Sequence, residues 1–157
     1  MSTFDCVLFL HVTGAFLLIG GAVVAGIFNL AAQGRTRPSE VVLLFRLTRA
    51  AVVAVSLGLL LTLVFGFWLI DAAHRSLGDF WVWLSLLLWF LAAALGAIGG
   101  RRDRATRELA TRLTAAGDVP SDELRRRLRD PVSLAFSYGS GLLVLAILAL
   151  MIWRPAG

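Results

Sequence analysis

The sequence predicts an all-α transmembrane fold, an up-down four-helix bundle with both termini outside and short amphipathic helices in the cytoplasmic connection between helices three and four. Three observations carry this expectation. Four apolar runs, Cys6–Ala32, Ala50–Ile70, Phe80–Ile98 and Val132–Trp153, each reach the roughly 20 residues that a spanning helix requires. All fifteen basic residues are Arg, and all but Arg75 and Arg154 lie in or beside the first and third connections. Trp68, Trp81, Trp83 and Trp153 fall at the opposite helix ends, where amphipathic indoles prefer the headgroup region.

Composition agrees. The chain of 157 residues has room for a single domain, 1–157. Its 59% hydrophobic content exceeds the roughly half apolar usage of soluble domains, and its mean hydropathy is +0.83. The net charge of +5 does not imply a nucleic-acid partner, because the arginines form no groove-lining array interleaved with exposed aromatics. They read instead as topology signals. A lone cysteine, Cys6, excludes an intrachain disulfide.

The first span, about 5–32, is expected to be retained, since Asp5 is the only charge ahead of it and a secretory signal has a basic n-region and a shorter apolar core. His11, Gly14, Leu18, Ala22, Ala25 and Asn29 share one stripe at 100° per residue, which is expected to face protein. Gly34 to Pro38 reads as a tight turn, and Glu40–Arg49 as a cytoplasmic approach to the second span, about 42–71, with Arg46 and Arg49 placed to snorkel. The short loop Asp71–Asp79, with His74 and Arg75, reads as a solvated cluster.

The third span, about 80–99, carries a small-residue stripe of Ser85, Trp89, Ala92, Gly96 and Gly99. In the connection 100–131, Leu109, Leu113 and Ala116 recur at helical spacing, Gly117 suits a C-cap, and Ser121 precedes a segment with Leu124 and Leu128. Two short amphipathic helices are expected there. Asp130-Pro131 supplies an N-cap carboxylate and a proline at the first helical position for the last span, about 132–153, where Ser133, Ser137, Ser140 and Gly141 cluster. Small and hydroxyl residues let membrane helices approach closely, so Gly14, Ala22, Asn29, Ser85, Gly96, Ser137 and Gly141 are the expected packing residues.

Excess arginine marks the cytoplasmic side. The expected location is therefore a bacterial cytoplasmic membrane, crossed several times. Arg101, Arg102, Arg104, Arg125, Arg126 and Arg127 are candidate contacts for anionic lipid or an acidic partner, each basic residue contributing about 1 kcal/mol near such a surface.

His11 is the candidate for chemistry. An ionisable group inside a span is a functional hypothesis by default, and imidazole is a common axial ligand of haem. The plainer reading is a neutral histidine donating to a serine or a backbone carbonyl of a neighbouring helix. A b-type haem would need its second ligand from His74, Met151 or another copy of His11 across a dimer. Cys6, His11 and Met151 are soft or borderline ligands near one end, but Cys6 and His11 lie about 140° apart on their helix, so no metal site is expected. No Gly-rich phosphate loop, Ser-His-Asp arrangement or pair of intramembrane carboxylates appears, and no catalytic residue is assigned.

The phrase Leu10-His11-Val12-Thr13-Gly14-Ala15 running on to Gly20-Gly21, together with Gly66-Phe67-Trp68-Leu69, Leu128-Arg129-Asp130-Pro131 and Leu150-Met151-Ile152-Trp153-Arg154-Pro155, resembles the four-helix integral membrane proteins called domain of unknown function 2269. The resemblance spans nearly the whole chain and implies the same four-span fold without an assigned activity. It also points to a wider set of small bundles with a first-helix histidine, including copper-resistance-type domains and the haem-binding membrane-type protoporphyrinogen oxidase. Only His11 carries over from that set, because the oxidase uses an intramembrane lysine and this chain has no lysine. The expected function is a small accessory or partner-binding membrane subunit without its own catalysis, its partner another membrane protein or a second copy. The alternative is a b-type haem-binding redox or haem-handling protein with His11 as axial ligand.

Overall fold

The computed structural model describes residues 3–72 and 80–153, and these form five helices: α1 (Thr3–Gln33), α2 (Pro38–Ala72), α3 (Phe80–Ala115), α4 (Asp122–Leu128) and α5 (Pro131–Trp153). No strand occurs among the described residues. Four helices are long and apolar enough to cross a bilayer. α1 packs most extensively on α2 and α3 on α5, while α2 touches α3 and α1 touches α5, so two hairpins close into a ring. The two ends of the bundle are called here the tryptophan end and the arginine end.

Close backbone approach holds the first hairpin. A Cβ on Gly58 would lie 2.5 Å from the Leu18 nitrogen and 2.6 Å from the Gly14 carbonyl oxygen, and one on Gly21 would lie 2.9 Å from the Ala51 carbonyl oxygen. With no hydrophobic force between helices in lipid, such contact supplies the dispersion energy that joins them.

α2 and α3, at 35 and 36 residues, are each over 50 Å long at about 1.5 Å per residue, against about 30 Å of hydrocarbon. Both overhang at the arginine end. There the expectation of two separate short helices needs correction, because Arg101–Ala115 continues α3 without a break and only α4 stands alone. Gly99-Gly100 costs about 1 kcal/mol per glycine in helix propensity, but no proline interrupts the turn and strong helix formers follow. Gly99 is also buried, with a virtual Cβ 3.4 Å from the Ser137 Oγ of α5. Glu40–Arg49 likewise belongs to the one helix α2.

The connections are capped as their residues require. α3 ends in a Schellman motif: Gly117 has φ +119, its N–H donates to the Thr114 carbonyl at 3.4 Å, and the Asp118 N–H donates to the Leu113 carbonyl at 3.1 Å. Asp130 accepts from the Ser133 N–H at 3.1 Å and from its hydroxyl at 2.8 Å, capping α5 beside Pro131. Below the overhangs, Ala32, Val41, Phe45, Ala110, Leu124 and Leu128 form a buried cluster drawn from α1, α2, α3 and α4. α4 is amphipathic, burying Leu124 and Leu128 while Arg125, Arg126 and Arg127 stay exposed.

Candidate functional site

His11, Thr62, Gly66, Ser85, Trp89 and Met151 belong to the wall of a cavity of about 370 Å³ at the tryptophan end, which all four long helices line. Most of the lining is apolar. Its size falls within the 300–1,000 Å³ typical of ligand sites, which pair an apolar wall with a few placed polar groups.

His11 is docked on α2. Its Nδ1 lies 3.1 Å from the Thr62 carbonyl oxygen. A carbonyl only accepts, so Nδ1 carries the proton, and the neutral ring keeps its lone pair on Nε2. Gly66 makes the space: a Cβ there would sit 3.2 Å from Cε1 and 3.5 Å from Nδ1 of the imidazole. Thr62 turns its own hydroxyl back to the Gly58 carbonyl at 2.8 Å, leaving His11 as the polar neighbour of its carbonyl. The Nδ1–Cε1 edge is therefore spent on α2, while Nε2 has no hydrogen-bond partner among the described residues.

Two more polar groups sit in this wall. Ser85, 7% exposed, buries a hydroxyl that has no partner among the described residues, and Trp89, one turn further along α3, buries an indole N–H that likewise has none among them. An unpaired buried donor costs about 1–3 kcal/mol. Ser85 and Trp89 were expected only to pack, and His11 alone to carry chemistry; the cavity brings the three together. Thr62 was not singled out and Gly66 only within a phrase carrying the family resemblance, although Ala51, Gly58, Thr62 and Gly66 make a small-residue stripe at helical spacing in α2 that could have been read.

Other expected residues are dispersed. Cys6 is exposed and does not line the cavity, whereas Met151 does. Gly14 is buried against Leu61, Ala22 is half-buried, a Cβ on Gly96 would lie 3.4 Å from the Ser140 hydroxyl, and one on Gly141 would meet nothing within 4 Å. Ser140 donates to the Ala92 carbonyl at 3.1 Å. His74, Arg75 and Asp79 lie outside the described residues, as does Arg154. No group of three or more His, Cys, Asp or Glu able to hold a metal occurs among the described residues.

At the arginine end Arg102 pairs with Asp130 at 2.9 Å and lies 5.5 Å over the Phe136 ring, Arg104 pairs with Glu108 and Arg127 with Glu123. Arg101, Arg125 and Arg126 have no ion pair among the described residues. Asp118 clasps the start of α2, accepting the Ser39 N–H and hydroxyl, both at 2.7 Å. These bonds, with Arg37 nearby, hold its carboxyl below the usual carboxylate range. Asp103, beyond the span expected at 80–99, is the opposite case: burial pushes its carboxyl up to about 6, against a 3.4 Å hydrogen bond from the Asn29 amide that lowers it.

A family described as predicted integral membrane protein (DUF2269) matches residues 5–155. No curated protein and no solved structure matches the chain. The wider likeness to copper-resistance and oxidase bundles finds no support in these comparisons.

Proposed function

The chain belongs to the DUF2269 family of predicted integral membrane proteins, and from that premise we propose that it is a non-catalytic bilayer protein that takes a small, mostly apolar ligand between its four long helices. One observation carries the reading: a mostly apolar cavity lined by all four long helices has His11 in its wall, with an Nε2 that has no hydrogen-bond partner among the described residues. The bilayer interior offers no water to satisfy such groups, and a guest with a polar atom does. The test is saturable uptake of 1-aminoanthracene by the purified protein, read as energy transfer from tryptophan. Ala15→Phe, which fills the cavity from α1, is expected to abolish it; undiminished uptake by a folded variant overturns the reading.

A second reading, b-type haem, has its own observation in favour. His11 and Met151 line the same cavity, and an imidazole whose Nδ1–H is anchored on a carbonyl is a more basic ligand through Nε2. When bound, the haem would supply redox chemistry. A Soret band in the purified wild type that His11→Ala removes supports this reading, and a colourless wild type sinks it.

The arginine end is proposed to face the cytoplasm and to hold anionic lipid or an acidic partner through Arg101, Arg125 and Arg126, in keeping with an accessory role. In a Cys6→Ser background, a thiol reagent added to intact cells should then label Ala72→Cys and spare Ala115→Cys. The reverse pattern overturns the orientation.

A further inference from the structure

We infer that the cavity selects a ligand bearing an O–H or N–H donor, a phenol or alcohol on an apolar frame, and receives that donor at Nε2 of His11. The inference rests on the ligand-binding reading and names the chemistry of its guest.

Thr62 presents a backbone carbonyl to Nδ1 at 3.1 Å, and an unprotonated Nδ1 would face that oxygen lone pair to lone pair. Protonation of Nδ1 makes Nε2 of the neutral ring an acceptor. The position of the ring settles which way that acceptor turns. Cε1 and Nδ1 are the imidazole atoms within 4 Å of a Cβ built on Gly66, so the Nδ1–Cε1 edge lies on α2 and Nε2 lies farther from it. His11 lines the cavity, its Nε2 has no hydrogen-bond partner among the described residues, and Nε2 is not among the polar atoms sealed away from contact.

The groups left over in the wall have the complementary character. The indole N–H of Trp89 is a donor only, and the Ser85 hydroxyl can donate or accept. Both are buried as the cavity stands, so His11 offers the acceptor open to an incoming molecule. A hydroxyl is suited to this wall, since it donates to Nε2. A ketone or ether of equal size has no proton to give and leaves Nε2 unsatisfied.

The experiment compares 2-naphthol with its methyl ether, 2-methoxynaphthalene, by titration of tryptophan fluorescence in purified protein. The wild type should bind the naphthol about threefold to tenfold more tightly than the ether, the range of one net hydrogen bond. His11→Phe should bind the two alike. His11→Gln, whose amide can donate to the Thr62 carbonyl while its oxygen accepts, should recover part of the preference, and thermal unfolding of both variants reports their folding. Equal affinities in the wild type, or a preference that survives in folded His11→Phe, overturns the donor assignment while leaving the cavity a binding site. Failure of both molecules to bind the wild type overturns the ligand-binding reading itself, and this inference with it. If neither variant folds, the imidazole ¹⁵N signals of the wild type decide: naphthol should shift Nε2 upfield from its unprotonated position and the ether should not, and an unmoved Nε2 overturns the assignment.

Discussion

At the arginine end Val41 and Ala110 are wholly buried, the starts of α2 and α5 are capped, and several charged side chains are paired across the surface; at the tryptophan end the same four long helices stand around a cavity of about 370 Å³. The difference follows from the solvent each end meets. Overhanging turns of α2 and α3 are too long for the hydrocarbon, so their apolar faces must hide from water by ordinary burial, at about 25 cal/mol per Å². Within the bilayer a leucine is as comfortable against lipid as against protein, and association rests on close packing alone. A gap there costs less than the same gap in water, which leaves room for a site.

The largest test of that contrast is truncation on each side. Phe45→Ala, in the buried cluster of the arginine end, should cost about 3–5 kcal/mol. Leu63→Ala, in the cavity wall, should cost less than about 1 kcal/mol, because it enlarges an existing space. Unfolding of both variants in a mild detergent checks this, and equal losses would erase the distinction. Next comes the seam joining the ends: Gly58→Ala drives a methyl into the backbone of α1 and should cost about 1–3 kcal/mol, whereas Gly26→Ala, which meets nothing within 4 Å, should be neutral or slightly stabilising.

A smaller effect separates two carboxylates within the arginine end. Asp103 is held high, at about 6, so the folded state prefers the protonated acid. The stability it contributes is present below the ordinary aspartate value and is lost as pH climbs through 6. Arg127, Asn29, Thr106 and Ser133 surround the same small void. Asp103→Asn should flatten that decline by no more than about 3 kcal/mol, the equivalent of two pKa units. Asp118 runs the other way, held low by Ser39, so its contribution is present at neutral pH and fades as pH falls below the ordinary aspartate value. Thermal unfolding of the wild type and Asp118→Asn from pH 2 to 8 should show a larger acid-side loss in the wild type, the remainder in the variant belonging to Asp130, whose carboxyl Ser133 also holds low.

Four helices and their order are legible in the sequence because a bilayer demands a length of apolar residues that little else produces. The caps at Gly117 and Asp130 are legible too, since αL geometry and a first-turn proline restrict residue choice. The continuity of α3 through Gly99-Gly100 is not, because a glycine pair weakens a helix without deciding its fate, and the buried contact with Ser137 tips it. Of the cavity, His11 is visible as a lone ionisable group in a span. Ser85 and Trp89 share the stripe of packing residues, and only the assembled walls reveal that their polar atoms have no partner. Gly58 escapes notice for a related reason: its value lies in the backbone of another helix, and a pattern within α2 carries no record of what presses on it.

The clasp between Asp118 and Ser39 sets an order of events during synthesis. Its two residues are separated by 79 positions, and α3 lies between them. When the first hairpin has entered the bilayer, the start of α2 has no carboxylate to receive its amide, and surface water must serve it until the end of α3 emerges. Closure of the clasp then marks the emergence of α3, joining the turn that ends it to the first turn of α2.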